Sequence, residues 1–175
     1  KVPQIENSNL RHRPIGIGCQ SLADVFAMMD YCWDSEDSRR LNLNIFETIY
    51  YAAITESNKM AHERKLEKDA KIRNLKQQLK NYVDSDLYGE VEKYKNIVEE
   101  IKELEKYETY YSSFEGSPSS KGFLQFDLWN VEEICKSSSE SYEEIYKNYF
   151  SKYHDDKKDK YLSGRYDWGK VREDI

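Results

Sequence analysis

Helix-breaking residues are scarce in this chain, and their scarcity constrains the fold more than any other sequence feature. The 175 residues include only seven glycines and three prolines. Lysine and glutamate, which both favour helices, are abundant. A strand-rich domain needs many turns, whereas a helical one needs few. The sequence therefore predicts a chain that is mainly α-helical.

The first thirty residues predict a loop, a turn and a short helix. Residues 1–14 combine prolines with a polar run and a basic turn, which indicates a loop. Residues 15–18, Ile-Gly-Ile-Gly, predict a tight turn that opens toward a helix. Four apolar residues follow at helical spacing and predict a short amphipathic helix that ends near Asp30: Leu22, Val25, Phe26 and Met29.

Residues 36–61 predict a long core helix. Asp34 or Ser35 can cap its free amides, and acidic residues in its first turn suit the helix dipole. Apolar side chains then occur on more than one face: Leu41, Ile45, Phe46, Ile49, Tyr50, Ala52 and Ala53. Such a helix is normally buried on several sides, so we expect it to belong to a core larger than this chain.

Residues 62–106 predict an inserted antiparallel helical hairpin. Positions 63–80 hold seven basic and three acidic residues, a net charge of +4, and positions 84–106 hold eight acidic and four basic residues, a net charge of −4. A turn is predicted at 84–89. Two helices of opposite charge joined by a short turn suit antiparallel pairing. Exposed ion pairs contribute only about 0–1 kcal/mol each, so they select the pairing more than they stabilise it.

The remaining residues alternate between apolar and polar character. Residues 107–131 contain a glycine- and serine-rich loop and then the apolar stretch 123–129. Residues 132–166 are rich in serine, tyrosine, lysine and aspartate, and predict a low-complexity, mobile surface loop. Part of that segment can form a helix through Tyr142, Ile145, Tyr146 and Tyr149. Residues 167–175 predict the start of a further helix.

Charge and hydropathy exclude several classes of partner. The formal net charge is −6, whereas a protein that binds nucleic acid through phosphates usually carries a basic surface. No stretch approaches the roughly 20 apolar residues of a membrane span. We therefore expect neither a nucleic-acid partner nor a membrane. The start at Lys1 is interpreted as an internal boundary in a longer protein.

The three cysteines predict free thiols and no metal site. Cys19, Cys32 and Cys135 are odd in number and lack the spacing of a zinc site or a disulfide framework. Reduced thiols are typical of the cytosol, so the expected location is cytoplasmic.

Candidate sites are few, and each has a plain structural alternative. The pair Gly16 and Gly18 either forms a tight turn or cradles a phosphate, but the third glycine of a dinucleotide fingerprint is replaced by Ser21. The basic turn 11–13, Arg-His-Arg, either binds an anion or is an ordinary exposed turn.

Two types of metal site fail on spacing. His62 and Glu63 begin like a zinc-protease helix, but Leu66 stands where the second histidine is needed. A di-iron bundle requires a glutamate three residues before a histidine, and none of the three histidines has one. Glu47 and Glu56 are therefore expected to be solvated or salt-bridged. The residues themselves predict no catalytic, cofactor-binding or metal-binding site.

Four long blocks follow one another in a characteristic order. They are SNLRHRPIGIGCQSLADVFAMM at 8–29, LNLNIFETIYYAAITESNKMA at 41–61, YETYYSSFEGSPSSKGFLQFDLWNV at 107–131, and DWGKVREDI at 167–175. These blocks resemble the large subunit of class I ribonucleotide reductases of the eukaryotic type. The resemblance implies an internal segment of that subunit's ten-stranded α/β barrel, with insertions at about 65–106 and 132–166.

The resemblance also implies a function for the parent protein. The family reduces ribonucleoside diphosphates for DNA synthesis by a thiyl-radical mechanism. It uses redox cysteines, responds to the nucleotide effectors ATP and dATP, and receives its radical from a di-iron small subunit. Its expected partners are that small subunit and further copies of the large subunit.

None of the family's catalytic positions matches a residue of this chain. The resemblance places the radical and redox cysteines upstream of Lys1 and the substrate-phosphate motif beyond Ile175. Cys19 stands where the family pattern has valine, so it is not an essential thiol. We expect the segment to be structural, inactive alone and prone to self-association. The alternative hypothesis is a helical protein–protein interaction module built around residues 62–106.

Overall fold

The computed structural model describes residues 2–84 and 91–175. These residues form seven α-helices, one 3-10 turn and one π turn, and they contain no β-strand. The helices are α1 Pro3–His12, α2 Leu22–Met28, α3 Glu36–Asp84, α4 Val91–Lys106, α5 Gln125–Ser137, α6 Tyr142–Asn148 and α7 Trp168–Asp174. The 3-10 turn is Ser119–Lys121, and the π turn, Tyr149–Tyr153, directly follows α6. The mainly helical prediction is thus confirmed for the described residues.

The chain divides into two compact units. Unit 1 comprises Lys1–Glu56 and Ser113–Ile175, and unit 2 comprises Ser57–Ser112. The division falls inside α3, between Glu56 and Ser57. Among the described residues, no helix has both the length and the apolar character that crossing a membrane requires.

The loop predicted for residues 1–14 is wrong, since most of that segment forms α1. Pro3 lies in the first turn, where its missing amide hydrogen costs nothing and its fixed φ suits a helix. Arg11 and His12 lie in the last turn, where positive charge complements the helix dipole. Arg13 then ends the helix in the left-handed conformation, and its amide donates to the Asn9 carbonyl at 2.8 Å.

The glycine pair between α1 and α2 does not form the predicted tight turn. Gly16 and Gly18 lie in an exposed stretch without regular structure, and neither has a positive φ. The left-handed residue before α2 is Ser21, with a φ of 62°. The predicted helix over residues 22–29 is observed as Leu22–Met28, and Phe26 is its buried residue.

Helix α3 begins where its capping residues predict. The Ser35 hydroxyl accepts a hydrogen bond from the Ser38 amide at 3.2 Å, which satisfies one of the free donors of the first turn. The buried Ser38 hydroxyl in turn donates to the carbonyls of Trp33 and Ser35, both at 2.8 Å. These bonds connect the residues before the helix to its first turn.

Unit 1 contains two hydrophobic clusters. The first is built on Phe123, Val131, Ile145 and Tyr149. The second is built on Leu124, Phe126, Trp168 and Val171, with the partly buried Tyr50, Tyr51 and Ile54 of α3 packed against it. The second cluster therefore joins the long helix to residues 124–126 and to α7.

The structure differs from the expectation of a mobile surface loop over residues 132–166. This segment contains the end of α5, the whole of α6 and the π turn. Ile145 and Tyr149 are buried in the first hydrophobic cluster. The physical reason is the tyrosine content: a tyrosine ring buries apolar area while its hydroxyl still bonds to polar groups, so a polar composition can still pack. The division into barrel segments and insertions stays a prediction.

Unit 2 contains the second part of α3 and all of α4. Its buried hydrophobic residues among those described are Leu75 and Ile101. Two ion pairs join the helices, Lys71–Glu100 at 2.8 Å and Lys76–Glu105 at 3.2 Å. The predicted turn at 84–89 lies, from residue 85 onward, outside the described residues. The antiparallel hairpin therefore stays a prediction.

Candidate functional site

The most deeply buried polar group of unit 1 is the carboxylate of Asp127, which is 0% exposed. It lies in the first turn of α5, where its Oδ2 atom accepts a hydrogen bond from the Leu124 amide at 2.8 Å. A carboxylate in this position satisfies a free helix donor and complements the positive end of the helix dipole. Local sequence thus places the side chain, and packing of Leu124 and Phe126 buries it.

Arg172 of α7 supplies the positive charge that faces Asp127. Its Nη2 atom donates to both carboxylate oxygens of Asp127, at 3.0 and 3.1 Å. Its Nη1 atom donates to Asp156 at 2.8 Å. The arginine side chain is 11% exposed, so both ion pairs lie mostly away from solvent. A guanidinium held by two carboxylates fixes α7 against α5.

His154 and Asp159 complete what we call the carboxylate–arginine cluster, which consists of Asp127, His154, Asp156, Asp159 and Arg172. The His154 Nε2 atom lies 3.0 Å from Asp156 and 4.0 Å from Asp127. Asp159 accepts a hydrogen bond from the side-chain amide of Asn130 in α5. Two carboxylates, Asp127 and Asp156, therefore share one guanidinium, and Asp159 bonds to Asn130 instead.

Burial dominates the electrostatics of this cluster. Desolvation raises the pKa of the Asp127 carboxyl above its ordinary value, although the Leu124 amide and Arg172 oppose that change. Desolvation also raises the pKa of Asp159, and the charges of Asp127 and Asp156 act in the same direction. Burial lowers the pKa of Arg172, but the hydrogen bonds that it donates to Asp156 and Asp127, together with the negative charges of these carboxylates, outweigh burial and raise that pKa overall.

Tyr149 of the π turn lies beside this cluster. Its hydroxyl accepts a hydrogen bond from Asn130 at 3.3 Å. Burial, together with the charges of Asp127 and Asp159, raises the pKa of Tyr149 far above that of a free tyrosine. The phenol is therefore held in its neutral form beside the carboxylates.

A second buried carboxylate, Glu47, links α3 to α7. It accepts hydrogen bonds from the indole Nε1 of Trp168 and from the amide of Ser163, both at 2.9 Å. The expectation of a solvated or salt-bridged Glu47 is therefore wrong, because its two donors are neutral and it is buried. Glu56, in contrast, is exposed. Glu47 thus fixes the segment before α7 to the long helix.

A cavity of about 470 Å³ opens between the first turns of α3 and the segment around Ser163. Its polar lining is mixed in charge, and Arg40 is already paired with Asp37 at 3.1 Å. The lining residues are Tyr31, Asp37, Arg40, Leu41, Leu43, Asn44, Ser163 and Arg165. A cavity of this size can admit a small molecule, but it lacks the mostly apolar lining of a typical ligand pocket.

The structure places the sequence-derived candidates on the surface and apart from the carboxylate–arginine cluster. The basic turn 11–13 is exposed at the end of α1. No other group lies within 4 Å of where a Cβ on Gly16 or Gly18 would stand. His62 is exposed on α3.

The thiols also stand apart from the cluster. Cys19 and Cys32 are exposed free thiols, and Cys135 is half-buried in the first hydrophobic cluster. Within the described part of the chain, no group of three or more His, Cys, Asp or Glu side chains is arranged to hold a metal ion.

Neither Asp127 nor Arg172 is predicted from sequence as a functional residue. The two are 45 positions apart, and neither belongs to a motif with a known chemical spacing. The available signal was local: Asp127 stands in the first turn of a predicted apolar stretch, and Arg172 stands in the last predicted helix. Bringing them together required the fold.

Comparison with known proteins agrees with the four sequence blocks. The family model for the barrel domain of ribonucleotide reductase matches residues 1–175. The large subunit of ribonucleoside-diphosphate reductase from Acanthamoeba polyphaga mimivirus is 36% identical over 168 residues, 96% of this chain. The corresponding subunit from Dictyostelium discoideum is 39% identical over 130 residues, 74% of this chain. The large chain from Cryptosporidium parvum is 38% identical over the same length.

The chain spans only about a tenth of these relatives: 11% of the mimivirus protein and 10% of the Dictyostelium protein. No solved structure matches it significantly. The family match nevertheless covers every residue, including both segments interpreted as insertions. The chain therefore belongs to the ribonucleotide reductase barrel-domain family.

Proposed function

We propose that this chain is a segment of the large subunit of a ribonucleoside-diphosphate reductase, which makes deoxyribonucleoside diphosphates for DNA synthesis by thiyl-radical reduction. The observation that carries the proposal is the family match over residues 1–175. The names of the curated relatives support it. The parent protein would use ATP and dATP as effectors, redox cysteines, and a radical from a di-iron small subunit. It would assemble with that subunit and with further large subunits in the cytoplasm.

Within that protein, the proposed role of this segment is structural. Its buried or mostly buried charged side chains join helices to one another. Arg172 bonds to Asp127, and Glu47 accepts a hydrogen bond from Trp168. A carboxylate that is completely buried cannot contact a substrate without a rearrangement. The three cysteines form no disulfide with one another. Among the described residues, they also belong to no group of side chains that could hold a metal ion. The segment would thus form part of the barrel wall.

The enzymatic proposal is tested on the full-length protein that carries this chain. Purified with its small subunit, it is expected to convert a ribonucleoside diphosphate to the deoxy product, and ATP and dATP are expected to change the rate. Absence of turnover with an active small subunit would contradict the proposed activity.

Whether this segment lacks an essential thiol is tested with the variant Cys19→Ser/Cys32→Ser/Cys135→Ser. If the redox thiols are other cysteines of the parent, turnover stays within about twofold of wild type. A loss of a hundredfold or more in a variant whose circular dichroism is unchanged would assign an essential thiol to this chain. The Cys135→Ser change alone serves as a control for packing, because only that thiol is partly buried.

A second candidate function, a protein-interaction arm, rests on the separate compactness of unit 2. Its two helices carry opposite net charges, and we propose that they pair as an antiparallel hairpin. Several large side chains stay exposed on it, including Leu66, Val91 and Tyr94. Deleting residues 65–104 from the full-length subunit is expected to weaken its assembly with the small subunit or with large-subunit copies. Unchanged assembly, measured by analytical ultracentrifugation with and without effector, would exclude the arm.

A further inference from the structure

Residues 154–161, which we call the strap, connect the π turn to the segment before α7 and contact both α5 and α7. Asp156 bonds to both terminal nitrogens of Arg172 in α7, at 2.8 and 3.2 Å. Asp159 bonds to Asn130 in α5. The Tyr161 hydroxyl donates to Glu133 in α5 at 2.6 Å. The strap therefore crosses the contact between these two helices.

The strap has no helix or strand of its own. Its internal backbone bonds are those of single turns, such as the Lys158 amide to the Asp155 carbonyl at 3.0 Å. Gly164, with a φ of 76°, follows it. Side-chain contacts with α5 and α7 thus determine where the strap lies, and such a segment can open without unfolding its neighbours.

The ion pair between Asp127 and Arg172, which the strap covers, forms without any residue of the strap. Asp127 is satisfied by the Leu124 amide and by Arg172, so the buried pair between α5 and α7 persists if Asp156 leaves. Asp156 adds a second carboxylate to a guanidinium that is already neutralised. Closing the strap is therefore not a condition for the contact between the two helices.

Closure also carries two costs. It buries Asp159 close to the carboxylate of Asp127, and desolvation followed by the charge of Asp127 raises the pKa of Asp159. It leaves the Nε atom of Arg172 buried without a hydrogen-bond acceptor among the described residues. Opening would relieve both, whereas closure gains the Asp156 bonds, the contacts of Lys160 and Tyr161 with Glu133, and the packing of the Tyr161 ring against Trp129.

We propose that residues 154–161 act as a strap that opens and closes over the Asp127–Arg172 pair, with the Asp156–Arg172 contact as its latch. In the closed state the pair is shielded. In the open state Arg172 and the hydroxyl of Tyr149 become accessible while α5 and α7 remain packed. This inference concerns only contacts within unit 1 and does not depend on the proposed enzymatic activity.

The test compares two neighbouring aspartates in the full-length protein. Asp156→Asn weakens the latch, whereas Asp155→Asn changes a half-exposed side chain that pairs with Lys158 and accepts from the Lys157 amide, without contacting α5 or α7 in any bond described above. Trypsin can cleave the strap after Lys157, Lys158 and Lys160. We expect Asp156→Asn to raise the cleavage rate within the strap about tenfold, because losing a charge-assisted hydrogen bond raises the open population by about that factor. Asp155→Asn should change the rate by less than about twofold.

Amide hydrogen exchange separates a strap from a rigid brace. In Asp156→Asn, amides of α5 and α7 should keep their wild-type protection while those of residues 155–162 lose it. Equal cleavage of both variants, or loss of protection in α5 and α7 together with the strap, would overturn the proposal. If Asp156→Asn does not fold, the wild type decides: strap amides should exchange at least about tenfold faster than buried α5 amides, and equal rates would refute the strap.

Discussion

Units 1 and 2 are both helical, but different interactions stabilise them. Unit 1 buries aromatic rings from α3, α5 and α7 against one another and encloses charged groups that are bonded on several sides. The helices of unit 2 bury few large side chains among the described residues, and the side chains of their ion pairs are about half exposed. Similar helical content can therefore hide a large difference in packing. Four sets of substitutions measure that difference.

Trp168→Ala should have the largest effect, because Trp168 is 2% exposed and lies at the centre of the aromatic cluster. The centroid of its ring lies 5.0 Å from the ring centroid of Phe126 and 5.4 Å from that of Tyr51. The substitution leaves a cavity and removes one donor from Glu47, so unit 1 should lose about 3–5 kcal/mol of stability in urea unfolding. Trp33→Ala, at a 67% exposed position, is the control and should cost less than about 1 kcal/mol. Equal losses would mean that the aromatic cluster does not stabilise unit 1.

Asp127→Ala should come next, because it leaves the mostly buried Arg172 with a single carboxylate partner. Removing one member of a buried ion pair costs about 3 kcal/mol or more. The control is Asp167→Ala, which removes only the exposed cap that accepts from the Lys170 amide at 3.0 Å and should cost about 1 kcal/mol. Urea midpoints that fall equally for both variants would show that the buried pair adds nothing beyond helix capping.

Asp159 and Asp155 should change the pH dependence of stability in opposite senses. The pKa of Asp159 is raised above 3.8 by burial, so its contribution is complete below that value and is lost as the pH rises through the folded-state pKa. The pKa of Asp155 is lowered by its bond to Lys158, so its contribution is present above 3.8 and is lost on acidification. Asp159→Asn should therefore reduce the loss of stability that accompanies rising pH. Asp155→Asn should instead reduce the gain of stability that accompanies rising pH. Urea midpoints between about pH 3 and pH 7 test this, and changes of the same sign would contradict it.

The ion pairs of unit 2 should give the smallest effect. A double-mutant cycle on Lys71 and Glu100 should yield a coupling below about 1 kcal/mol, because both side chains are about half exposed. The coupling should disappear near 1 M salt, where the screening length is about 3 Å. A coupling above about 2 kcal/mol that persists at high salt would show that the pair is much better shielded than its exposure indicates.

The sequence predicted the elements whose signals are local. Helix α2 follows from the spacing of Leu22, Val25 and Phe26, and the start of α3 follows from the cap at Ser35, which the structure confirms. The start of α7 near Asp167 is local in the same way. Helix α1 is not predicted, because a proline and several polar residues together indicate a loop, although proline is favourable in a first helical turn.

The candidate site could not be predicted because its contacts are distant in sequence. Asp127 meets Arg172 across 45 positions, and Glu47 meets Trp168 across 121. No periodic pattern links residues at such separations. In 132–166 the spacing of Tyr142, Ile145 and Tyr146 predicts the helix that is observed as α6, whereas the polar composition does not predict the burial of Tyr149 in a core.

The burial of Trp168 also makes this residue an intrinsic fluorescence probe of unit 1. Its indole lies among the rings of Tyr50, Tyr51 and Phe126, while Trp33 is exposed and Trp129 is half exposed. An indole in an apolar, water-poor environment emits at shorter wavelength and resists quenching by acrylamide. Emission from Trp168 should therefore separate from that of the other two. A red shift of the Trp168 emission in the unlabelled protein would then report the separation of α7 from α3.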